Sequence, residues 1–148
     1  DRKIYAIDAA TGKCLFNVDG GRDALCGSED GKTVFSKVMF GKAYAFRSDV
    51  PAPADGGEIS SGNKLWEVAD SLGYDIGTSA LTEKDGVLLI PSDKGNIVAL
   101  DAATGEFLWT HKVSVALVNP LKVSSDKKRM AVLASTMDGT VTLLTIEK

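Results

Sequence analysis

The side chains of this sequence best suited to nucleophilic or metal chemistry are its two cysteines, Cys14 and Cys26, and its single histidine, His111. A tetrahedral metal site needs sulfur or imidazole donors at short spacing, such as a CxxC pair answered by a second pair. Eleven residues separate the cysteines, and His111 has no second histidine or cysteine at ligand spacing, so no zinc site is expected. The cysteines read as half-buried strand thiols. The alternative is a disulfide between neighbouring strands, which would imply an oxidising compartment. A Ser/His/Asp set would have one histidine to draw on, and no glycine-rich phosphate loop sits between a strand and a helix. No catalytic, cofactor-binding or metal-binding residue is therefore assigned.

Two aspartates stand out by repetition. Residues 4 to 19 read IYAIDAATGKCLFNVD and residues 97 to 112 read IVALDAATGEFLWTHK, with eight of the sixteen positions identical. In each, Asp-Ala-Ala-Thr-Gly suits a type I turn closed by a bulge, with the glycine in a left-handed conformation. Asp8 and Asp101 are placed to accept hydrogen bonds from the turn's own N–H groups, and Thr11 and Thr104 can add theirs. An aspartate that recurs at the same turn in each copy has the same structural task in each. Calcium binding or catalysis would not require that repetition.

The elements that carry these turns also repeat. Apolar stretches starting at Lys3, Lys42, Asn96 and Thr140 are spaced by 39, 54 and 44 residues, a period that marks a stacked or radial array. The longer gap holds residues 50–62, VPAPADGGEISSG, whose Pro, Gly and Ser content marks an inserted surface loop. This loop is the one specific candidate for contact with a partner. No window sustains the period of a long helix. Acid-plus-glycine turns at Ser28–Lys32, Lys84–Gly86, Ser92–Asn96 and Met137–Thr140 instead punctuate short apolar runs, which predicts antiparallel strands. These are Thr33–Phe40, Lys42–Arg47, Val87–Ser92, Asn96–Asp101, Arg129–Ser135 and Thr140–Ile146. Three residues after each corner glycine stands Leu15-Phe16 or Leu108-Trp109, matched by Leu65-Trp66 behind the loop. Aromatics of that size need a second layer to bury them, so both tryptophans are expected between sheets.

Composition sets the outer bounds. The chain has 148 residues, 44% of them apolar and 25% charged, enough for one domain with a sizeable core. Apolar runs such as Val87-Leu88-Leu89-Ile90-Pro91 fall far short of the roughly 20 residues of a spanning helix. A net charge of −3 without a basic stripe argues against nucleic acid and against acidic lipid. The amino terminus carries no signal-peptide pattern, and a first residue of Asp reads as a trimmed end.

The order of apolar strand, Asp-Ala-x-Thr-Gly, two residues and Leu-Trp resembles the blade signature of the β-propellers named after pyrroloquinoline quinone. Ile97 to Trp109 matches it throughout; Ile4 to Phe16 departs by Phe for Trp; Asn63 to Trp66 keeps only its end. The resemblance implies an all-β chain in which residues 3–19 form a half blade, 23–69 a blade with the inserted loop, 74–112 a blade, and 116–146 a three-stranded blade. That is an arc of about three four-stranded antiparallel blades and not a closed ring, and it reads as the carboxy-terminal part of a larger propeller. Its partner would be the remainder of that propeller or a second copy of the chain, with a further protein partner on its loops.

The resemblance points to three functions. One is a non-catalytic structural or binding module of a larger bacterial protein outside the cytoplasm, periplasmic, cell-surface or secreted, needing no cofactor. The segment Ala116–Leu121, with Ser135–Gly139, is also similar to the last blades of propellers fused behind calcineurin-like metallophosphoesterases, which would make it an accessory of a serine/threonine phosphatase-type protein. The third is a piece of a quinone-dependent dehydrogenase. Such enzymes add adjacent cysteines and a calcium site, and Cys14 and Cys26 are not adjacent.

Overall fold

The computed structural model describes residues 3–19, 23–51, 53–54 and 63–148. Their thirteen strands form four antiparallel sheets, and each strand lies beside its neighbour in sequence. The first sheet holds β1 (Lys3–Ile7) and β2 (Cys14–Asp19). The second holds β3 (Ala24–Gly27), β4 (Thr33–Val38), β5 (Lys42–Arg47) and β6 (Lys64–Ala69). In the third are β7 (Thr82–Lys84), β8 (Val87–Pro91), β9 (Asn96–Asp101) and β10 (Phe107–Lys112), and in the fourth β11 (Lys122–Ser125), β12 (Arg129–Ser135) and β13 (Val141–Glu147). No helix among the described residues is long and apolar enough to cross a membrane.

Turn chemistry fixes where the strands reverse. Asp8 Oδ1 accepts from Ala10 N at 3.0 Å, Thr11 N at 2.7 Å and Thr11 Oγ1 at 2.8 Å. Asp101 Oδ1 accepts from Ala103 N at 3.0 Å, Thr104 N at 2.8 Å and Thr104 Oγ1 at 3.0 Å. The two sequence copies are thus one corner built twice. Each is followed by a slip in register, between Ala6 and Ile7 in the first sheet and between Phe107 and Trp109 in the third. The expected bulge is present. At the other reversals the strands run a little differently from expectation. Met39 and Phe40 leave β4 for the turn, because the backbone must reverse through Gly41 at φ 79°.

The sheets stack in chain order, each presenting a front face to the next. Phe16 and Val18 of the first meet Phe46 of the second. The front of the second, with Phe35, Ala43, Ala45 and Trp66, meets Leu88, Ile90, Val98 and Leu100 of the third. The third presents Leu89, Ile97 and Ala99 to Met130, Val132 and Ala134 of the fourth. The first strands of the three later sheets, β3, β7 and β11, approach one another in turn. They therefore lie on the inner side of the arc.

Small residues match large ones across the ladder. Ala6 pairs with Phe16, Ala45 with Trp66 and Ala99 with Trp109. The alanine leaves room for the ring of its neighbour to lie over the sheet. Trp66 is buried between the second and third sheets as expected, but Trp109 is only half-buried. The reason is the corner above each ring. Trp66 lies under the Asp101–Gly105 turn of the next sheet, whereas the groove beside Trp109, bounded by Leu144 and Ile146, stays open.

Candidate functional site

Strand direction sorts the connections to two ends of the arc. One end carries the Asp-Ala-Ala-Thr-Gly corners and the residues that follow β5. The other carries the turns at 39–41, 92–95 and 136–140 and the crossings between sheets at 70–81 and 113–121. Residues 50, 51, 53 and 54 of the predicted loop are described, and Val50 packs beside Phe16 and Phe46. Its remaining residues, 52 and 55–62, lie outside the described residues.

The second end is organised by a buried lysine. Lys37, the fifth residue of β4, is fully buried, and its Nζ donates to Asp75 Oδ1 at 2.6 Å; Asp75 is itself 2% exposed. Asp75 also accepts from Gly77 N at 2.9 Å and, through Oδ2, from Asp93 N at 2.9 Å. Asp93 Oδ2 in turn accepts from Ile76 N at 3.2 Å. One carboxylate thereby ties β4, the crossing segment and the β8–β9 turn together. Burial works against the charge of Asp75, but hydrogen bonds from Lys37 and Asp93 outweigh it and hold its carboxyl below the usual range. Asp93 moves the opposite way, raised first by burial and then by its hydrogen bond to Asp75. Asp70, fully buried nearby, is also raised by burial, against the pull of Lys37.

The scaffold presents an apolar surface. Asp75 N donates to Met39 O at 2.9 Å and Met39 N to Asp23 Oδ2 at 2.8 Å, which fixes the turn bearing Phe40. Phe40 and Tyr74 face each other with ring centroids 6.2 Å apart, tilted by 56°. Lys94 Nζ donates to Tyr74 O at 2.8 Å and locks the segment from the third sheet. Phe40, Tyr74 and Ile76, with Val115 on the next crossing between sheets and Met137 on the β12–β13 turn, are between 56% and 78% exposed. These large apolar side chains are held in place yet left in water, an exposed apolar surface at this end of the arc. Sequence reading missed it because an isolated Phe, Tyr or Ile in a loop carries no periodic signal. The clue was the repeat itself, which gathers every such loop at one end.

Cys14 is exposed on β2 of the first sheet and Cys26 half-buried on β3 of the second, and neither is disulfide-bonded. The expectation of two half-buried thiols holds for Cys26 alone; Cys14 opens its strand just past the corner and stays in water. Burial, with the charge of Glu83 beside it, pushes the Cys26 thiol up to about 12. Among the described residues no three His, Cys, Asp or Glu side chains are placed to hold a metal ion. His111 is exposed on β10, at the groove beside Trp109. An apolar hollow of about 380 Å³ lies between the first two sheets, lined by Ile4, Leu15, Phe16, Leu25, Val34 and Phe46 among others.

Antiparallel sheets of two to four strands stacked face to face, with the first strands of the three later sheets gathered on one side, define a segment of β-propeller. The chain belongs to the family described as outer membrane protein assembly factor BamB, which matches residues 54–148. It is 27% identical to the polyvinylalcohol dehydrogenase of Sphingopyxis sp. (strain 113P3), over 86% of this chain and 22% of that protein. The chain thus spans about a fifth of the curated relative it matches. Among solved structures it is similar to the computationally designed Ika8 protein (TM-score 0.72, 23% identity, 99% of this chain and 41% of that one). It is similar also to BamB from Moraxella catarrhalis (TM-score 0.61, 19% identity, 99% of this chain and 47% of that one). These structures share its fold.

Proposed function

We propose that this chain is a structural and protein-binding segment of a larger β-propeller protein, without a catalytic centre of its own. The observation that carries the reading is the row of Phe40, Tyr74, Ile76, Val115 and Met137, exposed at one end of the arc on turns pinned by buried hydrogen bonds. The polar groups beneath it are engaged with one another: Lys37 with Asp75, and Asp75 with Asp93. That is the anatomy of a docking surface. The family's description as an outer membrane protein assembly factor supports a protein partner in the bacterial cell envelope, outside the cytoplasm.

The test is capture of envelope proteins by the immobilised chain, compared with a Phe40→Ser/Tyr74→Ser/Ile76→Ser variant. A specific protein retained by the native chain and lost with the variant is the expected result. Equal retention by both would refute the assignment of this surface.

A second reading rests on the likeness to polyvinylalcohol dehydrogenase. In that reading the arc is the propeller wall of a quinone enzyme and the remaining blades supply the cofactor's ligands. Titration of the chain with pyrroloquinoline quinone, with and without calcium, separates the two. A saturable change in absorbance accompanied by a rise in melting temperature would favour the enzyme. The third reading, an accessory to a metallophosphoesterase, predicts phosphatase activity in a longer product and none in residues 1–148.

A further inference from the structure

The crossing from the second sheet to the third, residues 70–77, lies directly against the β4–β5 turn: a Cβ on Gly41 would stand 2.8 Å from the carbonyl oxygen of Gly73. Both ends of the crossing are tied down. Asp70 N donates to Gly41 O at 3.0 Å and Asp75 N to Met39 O at 2.9 Å, while Lys94 Nζ holds Tyr74 O from the third sheet. Between these ties Ser71 takes φ 63°, a left-handed conformation that a residue with a side chain keeps only while its surroundings impose it.

The ties stand on an unbalanced cluster of charge. Lys37 of β4 bonds Asp75 and attracts Asp70, both of the crossing, and Asp93 of the β8–β9 turn lies against Asp75. Two further groups border them. Asp23, ahead of β3, accepts from Met39 N, and Lys94 acts on Asp93 while its Nζ is bonded to Tyr74 O. Asp70 is fully buried; its Oδ1 accepts from Leu72 N at 2.9 Å, and its Oδ2 has no partner among the described residues. Asp93 Oδ1 is likewise buried without one. With Asp70, Asp75 and Asp93 all ionised, three carboxylates face the one ammonium of Lys37, and the unmatched negative charge is held largely away from water, where it is costly. With Asp70 and Asp93 protonated, Lys37 and Asp75 balance.

We propose that residues 70–77 form a strap latched by the charge state of this cluster, closed in mild acid and loosening, with Tyr74 and Ile76 on it, as pH rises to neutrality and beyond. The signs agree group by group. Asp70 is raised by burial, and Asp93 by burial and then by its bond to Asp75. What each contributes is therefore present below the unfolded value of about 3.9 and is lost as pH rises through its folded value. Asp75, in spite of its burial, is held below the ordinary range by hydrogen bonds from Lys37 and Asp93, so its ties survive to a pH under that unfolded value. The strap is tightest near about pH 4, where Lys37 and Asp75 are charged and the other two carboxyls are largely neutral. Its consequence for binding rests on the reading of this surface given above: a partner held by Tyr74 and Ile76 is held more tightly in mild acid than at neutral pH.

Hydrogen exchange read by mass spectrometry tests the strap on the 148-residue chain alone, so its outcome is separate from whether the surface binds a protein. Exchange is followed from about pH 4.5 to about pH 8 and divided by the intrinsic rate at each pH. Protection of residues 70–77 is expected to fall by about threefold or more across that range, while protection of β8 and β9 stays level. Asp70→Asn and Asp93→Asn keep the size of each side chain and remove its charge. Each alone should flatten the fall, and the two together should abolish it. Protection that is level with pH in the native chain, a fall matched by β8 and β9, or one that both single variants leave unchanged would each overturn the proposal.

Discussion

The indole N–H of Trp66, on the outermost strand of the second sheet, donates to the backbone carbonyl oxygen of Ala102 in the third at 3.0 Å. This bond crosses the gap between sheets and lands inside the Asp-Ala-Ala-Thr-Gly corner. A repeated turn therefore serves two purposes. It reverses its own chain, and it roofs the aromatic ring of the preceding sheet.

Trp66→Phe keeps most of the buried area and removes the bond. A loss of about 1 kcal/mol is expected, against about 3–5 kcal/mol for Trp66→Ala. Urea unfolding followed by far-ultraviolet circular dichroism gives both values. Equal losses would mean that the hydrogen bond, and not the ring, holds the two sheets together.

The two corner glycines separate backbone strain from packing. Gly12 and Gly105 both take positive φ, 70° and 77°. A Cβ on Gly12 would meet open space, but one on Gly105 would lie 2.9 Å from the side chains of Trp66 and Val68. Gly12→Ala should cost about 1–2 kcal/mol from strain alone, and Gly105→Ala distinctly more. Melting temperatures of the two variants should rank in that order.

The buried acids give opposite responses to pH. Asp75 has a depressed folded pKa, so its stabilisation is present above the unfolded value of about 3.9 and is lost as pH falls through the lower folded value. Asp75→Asn should cost about 3–5 kcal/mol at neutral pH by leaving Lys37 buried without its anion, and the deficit should shrink in acid. Asp70 has a raised folded pKa, so its favourable contribution is present below the unfolded value and is lost as pH rises through the folded one. Asp70→Asn should therefore be more stable than the native chain near neutrality, and the gain should vanish below about pH 4. Unfolding measured across pH 3 to 8 should show the two curves diverging from the native one in opposite directions.

Cysteine reactivity should divide cleanly. Exposed Cys14 is expected to alkylate in the folded chain. Cys26, with its thiol pushed up to about 12 by burial, should react only in denaturant. Mass spectrometry after iodoacetamide at neutral pH should find one adduct natively and two after unfolding. Two native adducts would show that β3 opens readily from its sheet.

Much of this architecture was legible in the chain because its determinants are local. An aspartate whose carboxylate reaches N–H groups two and three residues away builds the same corner wherever it occurs, so Asp8 and Asp101 announced their turns. Continuous apolar runs such as Val87–Ile90 and Ile97–Leu100 announced strands covered on both faces. The repeat spacing then fixed their order in the sheets, since antiparallel strands joined by short turns have one economical arrangement.

What the sequence could not determine is long-range. Lys37 in β4 reads as one polar residue in an apolar run, and only stacking brings Asp75, 38 residues away, within 2.6 Å to neutralise it. The same holds for Phe40 and Tyr74, whose rings meet because a buried ion pair and a backbone bond fix two separate loops at one end. Local hydrogen bonds decide turns, and these the residues spell out in order. The burial of a charge, the exposure of an aromatic and the roofing of Trp66 but not Trp109 depend on which sheet stands opposite, and only the tertiary structure decides that.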